Sequence, residues 1–171
     1  MRARTDADRG RERGMRLYMK QKVFSWRDLF EIRDEADRAR WYAHGEIFSW
    51  GRKLHVYDAD GREVAFIRAK VVSFLSRYFI ETGGETHMLV KEFTILRPRF
   101  RLEGSKWSIE GDFFAHEYRI SDGPETVMSM SKRWLTWGDT YEMDIPRLEN
   151  ELLALCIALT IDCMNADSSY Y

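Results

Sequence analysis

Proline is scarce in this chain and cysteine scarcer, with three and two among 171 residues beside eleven glycines. So little proline and glycine excludes collagen-like or linker-like sequence. Two cysteines cannot staple a disulfide scaffold, and Cys156 and Cys163 share one apolar stretch. On a helix they would stand roughly 10 Å apart along the axis, too far for a bond. Both are therefore expected as buried free thiols of a reducing, cytoplasmic compartment. An excess of either charge is also missing: 27 Lys+Arg stand against 28 Asp+Glu, a formal net charge of −1. That balance excludes nucleic-acid binding by bulk charge. No apolar segment follows the N-terminal arginines, so no signal peptide is expected.

Aromatic side chains are plentiful: six Trp, eight Tyr and ten Phe. They can bury enough surface to offset chain entropy, which excludes a disordered chain. The exception is 1–14, MRARTDADRGRERG, whose only large apolar side chain is Met1. We expect a disordered tail there and a single domain over 15–171.

A repeat organises that domain. Phe24-Ser25-Trp26 returns as Phe48-Ser49-Trp50 and Val72-Ser73-Phe74. Weaker copies follow as Phe93-Thr94-Ile95, Phe114-Ala115-His116 and Leu135-Thr136-Trp137. Their middle residues, at 25, 49, 73, 94, 115 and 136, are spaced by 24, 24, 21, 21 and 21. Turn signals follow each triplet and recur about eight residues later, as in Asp58-Ala59-Asp60-Gly61 and Thr82-Gly83-Gly84. Alternating stretches such as Glu63 to Ile67 lie between them. Each repeat thus predicts a long strand and a short one, about twelve strands over about 17–145, joined by tight hairpins into an antiparallel meander.

From Leu152 to Met164 only Thr160 and Asp162 are polar. With Asp144 as N-cap and Pro146 in the first turn, a helix over about 146–165 is expected, with no solvent face. The run falls short of the ~20 apolar residues that span a bilayer, so no transmembrane span is expected. Twelve strands closed into a barrel leave a lumen that side chains alone cannot fill. A central helix fills it, and closure removes every exposed edge.

The segments Lys20-Gln-Lys-Val-Phe-Ser-Trp26, Trp107 to His116, Ser131 to Asp139 and Glu149 to Asp162 together resemble the bacterial YxjI branch of the LURP-one-related family. The resemblance covers about 16–165. It implies the tubby C-terminal-like fold, a twelve-stranded β-barrel around a hydrophobic C-terminal helix. The superfamily includes tubby-like proteins, which bind phosphoinositide head groups, and phospholipid scramblases. The likeness to scramblases implies an acidic calcium segment before the last helix, where this chain has Asp139, Glu142 and Asp144.

No catalytic signature is present. His44, His55, His87 and His116 fall in separate strands with no ligand at metal-binding spacing. His116 is expected packed and hydrogen-bonded, and Asp58 to Gly61 as a hairpin turn. No cofactor is expected. Two residues before each triplet stands a charge: Lys22, Glu46, Lys70, Lys91, Asp112 and Arg133. The opposite face carries small residues such as Gly45, Ala69 and Gly111, which suits close approach to a helix. The charges are then expected in solvent, where they avoid a large burial cost. That leaves a wet belt of Lys20, Lys22, Arg68, Lys70 and Lys91 beside exposed aromatics, a composition suited to a membrane interface or a protein partner. The expectation is a non-enzymatic binding or scaffold module that meets anionic lipid head groups or an unidentified protein, peripheral at the inner membrane surface. Lipid translocation of the scramblase type is the first alternative. An enzyme with a site assembled across strands is the second.

Overall fold

The computed structural model describes residues 14–21, 29–46, 51–70, 76–92, 98–135 and 138–168. Twelve strands follow in chain order: β1 Met15–Gln21, β2 Leu29–Asp34, β3 Ala39–Gly45, β4 Lys53–Asp58, β5 Glu63–Ala69 and β6 Arg77–Thr82. Then come β7 Glu85–Glu92, β8 Arg99–Glu103, β9 Trp107–Asp112, β10 Glu117–Asp122, β11 Glu125–Leu135 and β12 Gly138–Ile145. Each pairs antiparallel with its sequence neighbours, and β1 pairs with β12, so the sheet closes into a barrel. Helix α1, Glu151–Ser168, follows a 3-10 turn over Leu148–Asn150.

Strand alternation sorts the side chains. The inward row includes Leu17, Met19, Ile32, Val56, Ile67, Ile80, Leu89, Leu102, Ile120 and Met143, all at most 1% exposed. They enclose α1, whose residues from Ala154 to Asn165 are all buried. A helix buried all round needs no amphipathic stripe. Each large aliphatic side chain buried this way contributes about 1.5–3 kcal/mol. Thr160, inside this shell, donates its hydroxyl to the Cys156 carbonyl at 2.7 Å. Both cysteines are buried and neither is in a disulfide, and burial pushes the Cys156 thiol up to about 12.

The repeat is visible in the turns. In the β2–β3 turn Asp34 accepts the backbone N–H groups of Ala36 and Arg38 at 2.9 and 3.0 Å. Twenty-four residues on, Asp58 accepts those of Asp60 and Arg62 at 3.0 and 2.9 Å. In each turn the arginine Nε–H also donates to the aspartate, at 2.9 and 3.0 Å. Gly61 takes the left-handed conformation there, with φ of 78°, which glycine adopts without steric cost.

Two expectations change. Asp144 lies in β12 and caps nothing; α1 begins at Glu151, after the 3-10 turn. The triplet Phe114-Ala115-His116 forms the β9–β10 turn rather than strand. Asp112 there accepts the N–H groups of Phe114 and Ala115 at 3.1 and 3.0 Å, and His116 has φ of 56°. The copies at 24–26, 48–50, 72–74 and 93–95, and 136–137 of the last one, lie outside the described residues.

Candidate functional site

Many charges among the described residues are answered by a charge of opposite sign, as in Arg16–Glu35, Lys53–Glu46 and Arg147–Glu125. Glu151, the first residue of α1 and 3% exposed, accepts hydrogen bonds from the Arg40 guanidinium and from Trp41 Nε1. At the other end of α1, Asp162 is hydrogen-bonded to His116 Nε2 at 3.0 Å. The His116 ring stacks on Tyr141, with centroids 4.1 Å apart. The Asn165 amide donates to the Phe113 carbonyl at 3.0 Å. His116 is thus packed and bonded, as its sequence context suggested. Burial, with the nearby Asp162 carboxylate, raises the Tyr118 phenol above its ordinary range.

The outer face of β5–β8 is built differently. Lys70 follows β5 and its N–H bonds to the Arg77 carbonyl at 2.8 Å, so the two residues face each other. Arg77 stands opposite Val90, and Val90 opposite Arg101. One rung across four strands therefore reads Lys70, Arg77, Val90, Arg101. Strands lie about 4.8 Å apart, so three cationic residues share roughly 15 Å of ladder. Val90 is 1% exposed although it alternates with the inward-facing Leu89. The next rung places Arg68 opposite Phe79 and Phe79 opposite Met88. The Arg68 guanidinium lies over the Phe79 ring, 4.4 Å from its centroid.

Acidic partners are unevenly supplied here. Arg68 pairs with Glu81 at 2.9 Å, and Arg101 with Glu92 at 2.9 Å and Glu103 at 3.4 Å. Glu92 holds the Arg101 guanidinium above its ordinary range, against the opposing effect of desolvation. Among the described residues neither Lys70 nor Arg77 has a carboxylate within ion-pair distance. Like charges on directly opposed strand positions are unfavourable, so this pairing weakens the sheet locally.

The predicted belt is only partly assembled. Arg68 and Lys70 lie on this face, Arg68 half-buried and Lys70 exposed. Lys91 is a correction: it stands opposite Phe100 in the inward row, two residues after Leu89, and is 3% exposed. Strand alternation sends it into the barrel mouth, where its Nζ lies 5.9 Å from the Phe100 ring centroid. Of Lys20 only the backbone is described, and it sits on β1, five strands round the barrel from β6. Lys22 lies outside the described residues. Glu46, Lys70, Asp112 and Arg133 from the same row are exposed, as predicted.

The acidic segment before α1 does not form a cage. Glu142 is 7% exposed, and Arg133 Nε donates to it at 2.7 Å, with Arg16 at 3.9 Å. Asp144 is exposed, and of Asp139 only the backbone is described, opposite Trp134. Among the described residues no three His, Cys, Asp or Glu side chains are grouped to hold a metal ion. A cleft of about 610 Å³ lies between the β6–β7 and β8–β9 connections. It brings His87 Nε2 to 3.6 Å from Glu85, a carboxylate 77% exposed, with Glu103, Trp107 and Leu153 also lining it.

Fold and site together define a helix-plugged twelve-stranded barrel with a cationic, partly apolar outer face. Residues 15–162 match the model of the LURP-one-related family, and the chain belongs to that family. It is 39% identical over 147 residues to the uncharacterized protein YxjI of Bacillus subtilis (strain 168), covering 85% of this chain and 91% of that protein. It is also similar to the X-ray structure of a protein from Arabidopsis thaliana. The TM-score is 0.62 and the identity 14%, over 91% of this chain and 93% of that one. At that identity the likeness is one of fold.

Proposed function

We propose that this chain is a non-enzymatic binding module that recognises anionic phospholipid head groups through the outer face of β5–β8. The observation that carries this is the facing pair Lys70 and Arg77, two like charges with no carboxylate partner among the described residues. An arrangement that weakens the sheet is best explained by an external anion that neutralises it. Phe79 and Met88 on the next rung add apolar surface of the kind that sits at head-group depth. Surface docking is favoured over a spanning barrel because the outward rows carry Glu31, Arg33, Glu110, Arg119 and Arg133, whereas a lipid-facing wall needs an apolar band. No helix among the described residues is long and apolar enough to cross a membrane.

Co-sedimentation with phosphatidylglycerol vesicles tests the proposal. We expect binding at low ionic strength that weakens as salt shortens the Debye length towards about 8 Å. Reversing one charge, Lys70→Glu, is expected to reduce binding at least about tenfold. A protein that stays in the supernatant at low ionic strength would refute head-group recognition.

A further inference from the structure

The Nε–H of Arg77 is buried and meets no hydrogen-bond acceptor among the described residues. Other arginines show the contrast: Arg38, Arg62, Arg68, Arg101 and Arg133 each donate from Nε to a carboxylate at 2.7–3.0 Å. Arg77 differs from them in place as well. It faces the exposed Lys70 across the β5–β6 ladder and flanks the buried Val90. A guanidinium is a planar fork matched to two oxygens of one tetrahedral anion, and an ammonium beside it adds a point charge.

We propose that Arg77 and Lys70 form a discrete site for one phosphate oxyanion, with the Arg77 fork as the group that selects phosphate over diffuse negative charge. This deepens, and rests on, the head-group reading of the same face. The chemistry is shared by two sources, the phosphate of a lipid head group and a free phosphate or soluble phosphoester. In either case the oxyanion supplies the acceptor that the Nε–H lacks, with the guanidinium swinging outward to meet it. Loss of a charge-assisted fork is a larger loss than that of a surface charge, since the geometry goes with it.

The test follows the Arg77 Nε–H resonance by 1H–15N NMR in the full chain. Inorganic phosphate, glycerol phosphate and vesicles of phosphatidic acid or phosphatidylglycerol are titrated in turn. A saturable one-site shift of that resonance with inorganic phosphate, absent in Arg77→Ala, supports the site. Arg77→Lys keeps the charge and loses the fork. It should weaken binding about tenfold, with the amide spectrum confirming that the variant is folded. An unmoved Nε–H resonance, or Arg77→Lys binding as tightly as the unmodified chain, overturns the site. Should Arg77→Lys still bind phosphatidylglycerol vesicles fully, the membrane reading survives and the discrete site falls. Phosphate binding at Arg77 without any vesicle binding supports the site and assigns it to a soluble phosphoester. A Nε–H resonance that exchanges with bulk water at the same rate with and without phosphate would also overturn it, because ordered water would then satisfy the donor.

Discussion

Two regions of the barrel handle charge in opposite ways. At the end that holds the β2–β3 and β4–β5 turns, Asp34 and Asp58 are each wrapped by backbone N–H groups and an arginine. At the same end Glu151 is clamped by Arg40 and Trp41. Every one of these carboxylates is consumed by the fold. Where β5 meets β6, at the other end, Lys70 faces Arg77 and neither is answered by a carboxylate among the described residues. The difference teaches where to look for function in a neutral chain. Net charge hides a division between charges that hold turns together and charges that the fold leaves available.

The largest effect that would sharpen this contrast is expected at Glu151. Its side chain is 4% exposed and accepts from two residues of β3. The Arg40 side chain is 37% exposed, so what is lost with the Glu151 charge is mainly its charge-assisted hydrogen bonds, worth about 1.5–3 kcal/mol. Glu151→Gln should lose that much in urea unfolding. A loss below about 1 kcal/mol would show that the helix entrance behaves like an exposed ion pair.

The turn aspartates come next, and they predict a pH dependence. Hydrogen bonds from the Arg38 side chain and backbone hold the Asp34 carboxyl below the usual carboxylate range. The Arg62 backbone N–H does the same for Asp58, aided by the Arg62 charge. A carboxyl with a lowered folded pKa stabilises the fold above its unfolded value, near 3.9. It loses that contribution as pH falls through the lower folded value. The double variant Asp34→Asn, Asp58→Asn should therefore be less stable than the unmodified chain at pH 7. The gap should close below about pH 4. A gap that stays constant down to pH 2 would assign its cause to something other than ionisation.

Much of this architecture is legible in the residues. The 24-residue repeat places Asp34 and Asp58 in equivalent turns, and the all-apolar run from Leu152 requires an enclosure. Thr82-Gly83-Gly84 fixes a tight hairpin, so counting back from it pairs Arg77 with Val90. The facing of Lys70 and Arg77 is different. Residues 71–75 join their strands without a tight turn signal of known length, and nothing local sets that register. Lys91 was hidden for a related reason: its charge argued for solvent, while the register to Phe100 put it in the inward row. The bonds from Arg40 and Trp41 to Glu151 join residues more than a hundred positions apart. No periodicity announces such a contact.

The smallest expected effect is the most discriminating. A surface residue whose charge does nothing for the fold should change stability by no more than about 0.5 kcal/mol when truncated. Lys70 is exposed and faces a like charge, so Lys70→Ala should leave the urea midpoint unchanged or raise it slightly, by relieving repulsion across the β5–β6 ladder. At low ionic strength any gain should be largest, and it should fade as salt screens the pair. The same substitution made in the presence of phosphate should reverse sign, because the unmodified chain then gains the stabilisation of a bound anion. A Lys70→Ala variant that is destabilised without any anion, and by the same amount in high salt, would mean that this rung uses its charges as the aspartate turns do. The contrast between the two regions would then dissolve.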